Sequence, residues 1–482
     1  MEKTISIILS VILVLSLCIP AALAADKDCG CGYVPVIYVT GFAQTPLAEN
    51  VGTPGERMVF MPESGAVVRA VVKLIVPVIA LIVTADFDSF AKSVADDMDE
   101  LFADVICDRN GDPVNPAVDV TQRVPPSADH TPGTSNVFRY DWREDVFDIA
   151  RELNDYIEEL KRLTGHDRVA LRAESMGGAV TMTYLSVYGS GSVDSIVMQS
   201  SAFNGITLVG SIFTGDLDVK PASVINYILN FVEGSDNKSV ASRLLIKAFG
   251  GILIAAVANS LDYTIDRCRD SLYDYSLKSF MGCIPGLWTF VPQEDYEAAK
   301  AFMLDEDENA RLIAKIDRYH YGVMDRTGEL LDSAMEDGVR LAIISNYGKA
   351  AVPAITDDGY QSDFLIDTRR TSLGATCAPF GKTLGADYVQ AVDDGHNHLS
   401  PDGIIDASTC MYPENTWFIK DMMHTWYTRG YLSFAYDFIY SDTAITVFDD
   451  PRYPQFMLND HATGELVPVT AQTGVSAIHI HR

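Results

Sequence analysis

An acyl-transfer centre needs a hydroxyl, an imidazole and a carboxylate, and the chain offers each in a suggestive setting. Ser175 lies in "LRAESMGGAVTMTYL" (Leu171 to Leu185), between a short apolar run and a helical pattern, with Gly177 and Gly178 close behind. A serine hydroxyl is a poor nucleophile at neutral pH. It needs a base in hydrogen-bond reach, a group that orients the base, and donors for the developing oxyanion. A sharp strand-to-helix corner lifts the hydroxyl above a sheet edge, aims the first helical N–H groups at it and tolerates only small neighbours. Gly177 meets that steric demand fully, and Ala173, two residues before the serine, meets it nearly.

Nine histidines compete for the base. His424 follows an apolar run in "NTWFIKDMMHTWY" and is either the base or a capped loop residue. His396 and His398 sit in the polar loop "DDGHNHLSPDG", as loop residues or as a base or ligand, while His320 and His166 read as structural. Asp402, Asp394 and Asp406 are the candidate acids. Glu174, beside the corner, is a solvated or ion-paired carboxylate, or one that raises the pKa of a nearby imidazole. Asp393, Asp394 and Asn397 supply oxygen ligands of the kind Ca²⁺ takes, although their spacing departs from the EF-hand loop. Cys29 and Cys31 form a close pair with no second matching pair, which favours a disulfide or buried thiols over a metal. No metal and no other cofactor is expected.

These residues need elements to hold them. Tyr33 to Val39 is a continuous apolar run, as in a strand buried on both faces. Asn136 to Tyr140 follows as another strand. From Asp145 to Leu163, Val146, Ile149, Leu153, Ile157 and Leu160 recur at helical spacing, and Gly165 marks the stop. Arg168 to Ala173 reads as a strand, Gly177 to Tyr188 as a helix, and Ser195 to Gln199 and Val339 to Ile344 as further strands. This alternation predicts an α/β fold with a mostly parallel central sheet and helices on both faces.

Two stretches interrupt the alternation. Ala43 to Ser135 contains the apolar segment Ala66 to Ala85, and Asn204 to Gly338 contains Leu244 to Leu261. Each apolar core falls short of the ~20 residues that span a bilayer. They are either core helices or cap helices lining an apolar groove. The tail after Gly430 reads as one helix and several short strands.

The segments "PVIYVTGF" (Pro35 to Phe42), "YDWR" (Tyr140 to Arg143), "AESMGG" (Ala173 to Gly178), "SPDGIIDAS" (Ser400 to Ser408) and "TWFIKDMMH" (Thr416 to His424) together resemble the α/β-hydrolase family, and within it secreted lipases and lecithin:cholesterol-acyltransferase-like enzymes. Thr40-Gly41 stands where those enzymes commonly have His-Gly, and Glu174 where they commonly have His. The resemblance implies an α/β-hydrolase fold with a large helical cap or lid. It assigns Ser175 as nucleophile, His424 as base and Asp402 as acid, with Asp394 as the alternative acid. It also implies an oxyanion hole from the backbone N–H groups of Phe42 and Met176.

Composition bounds what remains. Lys3, the apolar run Ile5 to Ile19 and Ala22-Leu23-Ala24 form a secretory leader, and Leu17 before Cys18 argues against a lipid anchor. A formal charge of −30 repels nucleic acid and anionic bilayers. The expected layout is a leader (1–24), a first core part (25–203, with a helical insertion over 55–105), a cap (204–338), a second core part (339–430) and a C-terminal helix with strands (431–482). The expected function is a secreted carboxylic-ester hydrolase acting on lipid or long-chain acyl esters, in transient contact with a lipid surface and with no specific protein partner. An acyltransferase with the same triad, a non-catalytic binding protein and a peptidase are the rival readings.

Overall fold

The apolar runs of the sequence become neighbouring strands of one sheet. The computed structural model describes residues 31–60, 75–218, 220, 223, 227, 251–352, 360–441 and 445–471. The expected leader and Cys29 lie outside them. The strands of the large sheet, in chain order, are β1 (Val36–Val39), β2 (Asn136–Phe138), β3 (Val169–Glu174), β4 (Val193–Gln199), β5 (Arg340–Tyr347), β6 (Thr416–Lys420), β7 (Phe456–Asp460) and β8 (Glu465–Pro468). Their spatial order is β8-β7-β6-β5-β4-β3-β1-β2. All neighbours are parallel except β7 and β8, which pair antiparallel.

The helices include α1 (Ile75–Thr84), α2 (Phe87–Phe102), α3 (Val146–Thr164), α4 (Met176–Tyr188), α5 (Gly251–Leu272) and α6 (Arg429–Ile439). Every residue of β3 is buried, as a strand covered on both faces must be. Alternate residues serve the two faces. Ile37, Val39, Leu171, Ile196 and Met198 pack in one core with α3 and α4, whereas Val36, Ala170, Val197, Trp417 and Ile419 pack in another with Tyr431, Phe434 and Phe438 of α6. In α3 the five apolar positions of the sequence pattern are all buried, each burial stabilising by roughly 1.5–3 kcal/mol. Asp145 caps its start by accepting from Phe147 N–H, and Gly165 ends it at φ 70° with its N–H on Lys161 O.

The chain visits β1, then the edge strand β2, then crosses to β3 on the other side of β1. The switch in direction falls between the carboxyl ends of β1 and β3, the place where open α/β sheets bind ligands. The tail is one helix followed by strands: α6 covers the sheet, and β7 and β8 extend it.

The two interruptions meet each other. Within the first, α1 and α2 run in succession from Ile75, and within the second α5 begins at Gly251. Asp86 caps α2 by accepting from Ser89 N–H. Ser271 Oγ of α5 donates to Asp88 Oδ1 at 2.7 Å, and the Tyr263 ring stands edge-on to Phe87 at 5.7 Å. No described helix is long and apolar enough to cross a membrane.

Candidate active site

β3 ends at Glu174, α4 begins at Met176, and Ser175 between them sits at φ 52°, ψ −121°. A non-glycine residue held there costs about 1–3 kcal/mol, which the surrounding packing must offset. The space around it explains the small residues. A Cβ on Gly177 would stand 2.3 Å from Val39 O, one on Gly178 2.5 Å from Ser201 Cβ, and one on Gly41 2.8 Å from Ser175 Cβ. Ala173 is fully buried among apolar side chains, and its carbonyl accepts from Ser201 Oγ at 2.9 Å. The methyl group therefore fits where glycine was the expected residue.

His424 follows β6 and turns back over the corner. Its Nε2 lies 3.1 Å from Ser175 Oγ, and its Nδ1 lies 2.6 Å from Asp363 Oδ2. An ionised carboxylate can only accept, so Asp363 holds the proton on Nδ1 and leaves Nε2 free to accept from the hydroxyl. Asp363 is itself fixed. Its Oδ1 accepts from Leu365 N–H at 3.0 Å and Ile366 N–H at 2.7 Å, and its carbonyl accepts from His424 N–H at 2.8 Å. Phe364 at φ 89° and Thr425 at φ 64° bend the two loops to make this meeting. Burial lowers the His424 pKa, but the charge and hydrogen bond of Asp363, with a smaller contribution from Glu174, raise it to a net value above that of an ordinary histidine.

Asp402 is not at this imidazole. It is buried against Lys420, with Nζ at 2.9 Å, and accepts from Tyr347 OH at 3.1 Å and Ser400 Oγ at 2.7 Å. A buried carboxylate beside a buried ammonium is already spoken for, and the residue that reaches His424 is Asp363. Asp394 does hold an imidazole, that of His398 at 2.9 Å, but the other nitrogen of His398 is on Gln455 Oε1 at 2.8 Å. That acid–imidazole pair has no hydroxyl at its far end. Asp406 accepts from Tyr388 OH and Ala391 N–H. His396 stacks on Phe448, and His320 is buried between Gln293 and Trp288 O, where burial pushes it down to about 4. Asp393 and Asn397 accept from backbone N–H groups two residues on, as turn residues do.

Asp363 carried a weak signal. It lies in "DDGYQSDFLID", where four aspartates compete, and nothing in their spacing separates them. Its one distinguishing feature is position, in the first loop after β5.

Met176 is the first residue of α4, and Phe42 follows Gly41 at the end of β1, whose backbone lies against Ser175. The Phe42 ring meets Trp142 at 4.4 Å, Phe60 at 5.2 Å and Phe290 at 6.2 Å between centroids. Within "YDWR", Tyr140 OH donates to Thr40 O at 2.7 Å and Arg143 pairs with Asp141 at 2.6 Å in a buried ion pair. This segment braces the loop that carries Gly41. Glu174 is buried. Tyr38 OH donates to it, and Gln44 Nε2 donates at 2.8 Å. Burial raises its pKa.

No protein-family description matches the chain, and no curated protein matches it. Among solved structures, a serine hydrolase from the polyaromatic-hydrocarbon-degrading bacterium Cycloclasticus zankles is similar at 12% identity and a TM-score of 0.13, over 40% of this chain and 72% of that one. That likeness is too slight to add to what the geometry says.

Proposed function

We propose that the protein is a serine hydrolase of the α/β-hydrolase fold that cleaves carboxylic esters of apolar acyl groups. The observation that carries this reading is the continuous hydrogen-bond chain Ser175–His424–Asp363 at a strained strand-to-helix corner. In this reading Ser175 Oγ attacks the ester carbonyl while His424 Nε2 takes its proton. The imidazolium then forms beside Asp363, and the same proton passes to the leaving alkoxide. Water, deprotonated by His424, releases the acid from the acyl-enzyme. The N–H groups of Met176 and Phe42 receive the oxyanion, and losing one such donor costs about 2.7–4 kcal/mol in the transition state. The aromatic cluster of Phe42, Phe60, Trp142 and Phe290 supports an apolar acyl group, since each buried methylene contributes about 0.8 kcal/mol. The leader at 1–24 supports export.

Two measurements test it. A fluorophosphonate should label Ser175 and fail on Ser175→Ala. A series of acyl esters of rising chain length should show kcat/KM climbing beyond acetyl, and a preference for acetyl would remove the apolar-acyl reading. Product analysis with a competing alcohol decides whether water is the acceptor.

A further inference from the structure

The second cluster of chemically able side chains lies at the opposite end of the sheet. Cys31 leads into β1, His130 precedes β2, and His166 sits in the turn between α3 and β3. β1, β2 and β3 are adjacent and parallel, so these three residues gather at the amino ends of neighbouring strands. Ser175 lies beyond the carboxyl end of β3, about 20 Å away along six strand residues.

The three potential donor atoms face one another. Cys31 Sγ is 3.3 Å from His130 Nε2 and 3.5 Å from His166 Nε2, and the two Nε2 atoms are 3.2 Å apart. These separations are the edges of a known polyhedron. Zinc–nitrogen bonds near 2.05 Å and zinc–sulfur bonds near 2.3 Å at tetrahedral angles place N···N at about 3.3 Å and N···S at about 3.6 Å. The tautomer fits as well. His130 Nδ1 lies 2.6 Å from Ala128 O, a contact only an N–H can make with a carbonyl. In the neutral imidazole its Nε2 is therefore the unprotonated nitrogen, facing Cys31 and His166, as the outer hydrogen bond of a metal-bound imidazole arranges it. The rings stand at 84° to each other, so their edges converge instead of stacking.

We propose that Cys31, His130 and His166 form a zinc site that staples the chain's entry segment to the amino ends of β1, β2 and β3. One thiolate and two imidazoles are borderline-to-soft ligands, which favour Zn²⁺ over Ca²⁺ or Mg²⁺. The fourth position is left to a water molecule. The site works in structure and not in the ester chemistry, because the whole length of β3 separates it from Ser175. It stands independently of the proposed hydrolase activity.

The test uses the full chain, purified with its thiols reduced and dialysed free of loose metal. Zinc alone should bind at about one ion per chain. Cobalt put in its place should show tetrahedral visible bands and a thiolate-to-cobalt band in the near ultraviolet. Cys31→Ser should lose the near-ultraviolet band, and His130→Asn and His166→Asn should each weaken zinc by at least roughly 10- to 100-fold. All three should still take a fluorophosphonate at Ser175 to the same extent as wild type. Wild-type protein with no stoichiometric zinc and no thiolate-to-cobalt band overturns the site. So does a cobalt spectrum unchanged in His166→Asn.

Discussion

Two buried aspartates have separate partners, and in the proposed reaction separate tasks, at the scale of single residues. Asp363 orients the imidazole, and Asp402 neutralises Lys420. Asp363→Asn should therefore leave the fold intact and lower kcat by about 10⁴, since the amide favours the wrong imidazole tautomer. Asp402→Asn should do the reverse, keeping most activity while costing about 3–5 kcal/mol of stability through the stranded ammonium. Ester turnover and denaturant midpoints on the two variants check both statements. The pH profile follows from the raised pKa of His424. Only the neutral imidazole accepts the serine proton, so activity should fall on the acid side with a midpoint above about 6.5. Glu174→Gln removes a charge that favours the imidazolium and should move this midpoint to lower pH, as kcat/KM against pH would show. Linkage has the matching sign: the stability that the Asp363–His424 pair contributes is present below the unfolded histidine pKa and is lost as pH rises through the folded one. At this scale the sequence pointed to Ser175 and His424, which the structure brings within 3.1 Å, but not to Asp363, the carboxylate that meets His424. A serine between a strand and a helix is a local pattern. Asp363 is brought to His424 by the path the chain takes after β5, and the four aspartates of "DDGYQSDFLID" look alike in one dimension.

The elements explain why so few residue types are tolerated at the corner. β1 passes so close to α4 that its Val39 carbonyl fills the room a side chain at Gly177 would need. Gly177→Ala should cost about 1–3 kcal/mol by overpacking and should pull Ser175 out of line, seen as a lower melting temperature together with loss of fluorophosphonate labelling. Gly189→Ala, with open space around its Cα but φ at 69°, is the informative contrast: it should cost stability without touching labelling. Elements were the most legible part of the chain. The apolar spacing of α3 and the uninterrupted runs of β1, β3 and β4 depend on neighbours a few residues away, and burial follows them closely. α2 was missed as a separate helix, although Phe87, Phe90, Val94, Met98 and Leu101 fall at helical spacing in "FDSFAKSVADDMDELF", because the denser apolar segment Ala66 to Ala85 just before it overshadows this second stripe.

Across the whole molecule, segments far apart in sequence converge twice. Gly41, Ser175, Asp363 and His424 gather by the β1/β3 switch at one end of the sheet, and Cys31, His130 and His166 meet at the other. The first is legible in part, because Gly41, Ser175 and His424 lie in segments with a family resemblance and only Asp363 does not, whereas the second is visible in no motif. The histidines of the second cluster lie 36 residues apart, and Cys31 lies 99 residues before the first of them. A search for paired cysteines has no reason to look there. The two apolar interruptions likewise pack on each other through α2 and α5, a contact that periodicity cannot forecast.

The strand that delivers His424 is not an edge. β7 lies hydrogen-bonded along β6, Phe418 opposite Phe456 through Lys420 opposite Leu458, and β8 closes over β7 in turn. A shortened gene product stopping near Tyr440 would keep every proposed reacting group, yet leave the backbone of β6 bare to water or to another copy's strand. Such a product should come out of cells aggregated or inert, and a recombinant design that trims the last few dozen residues for convenience would discard the splint behind the strand that carries His424.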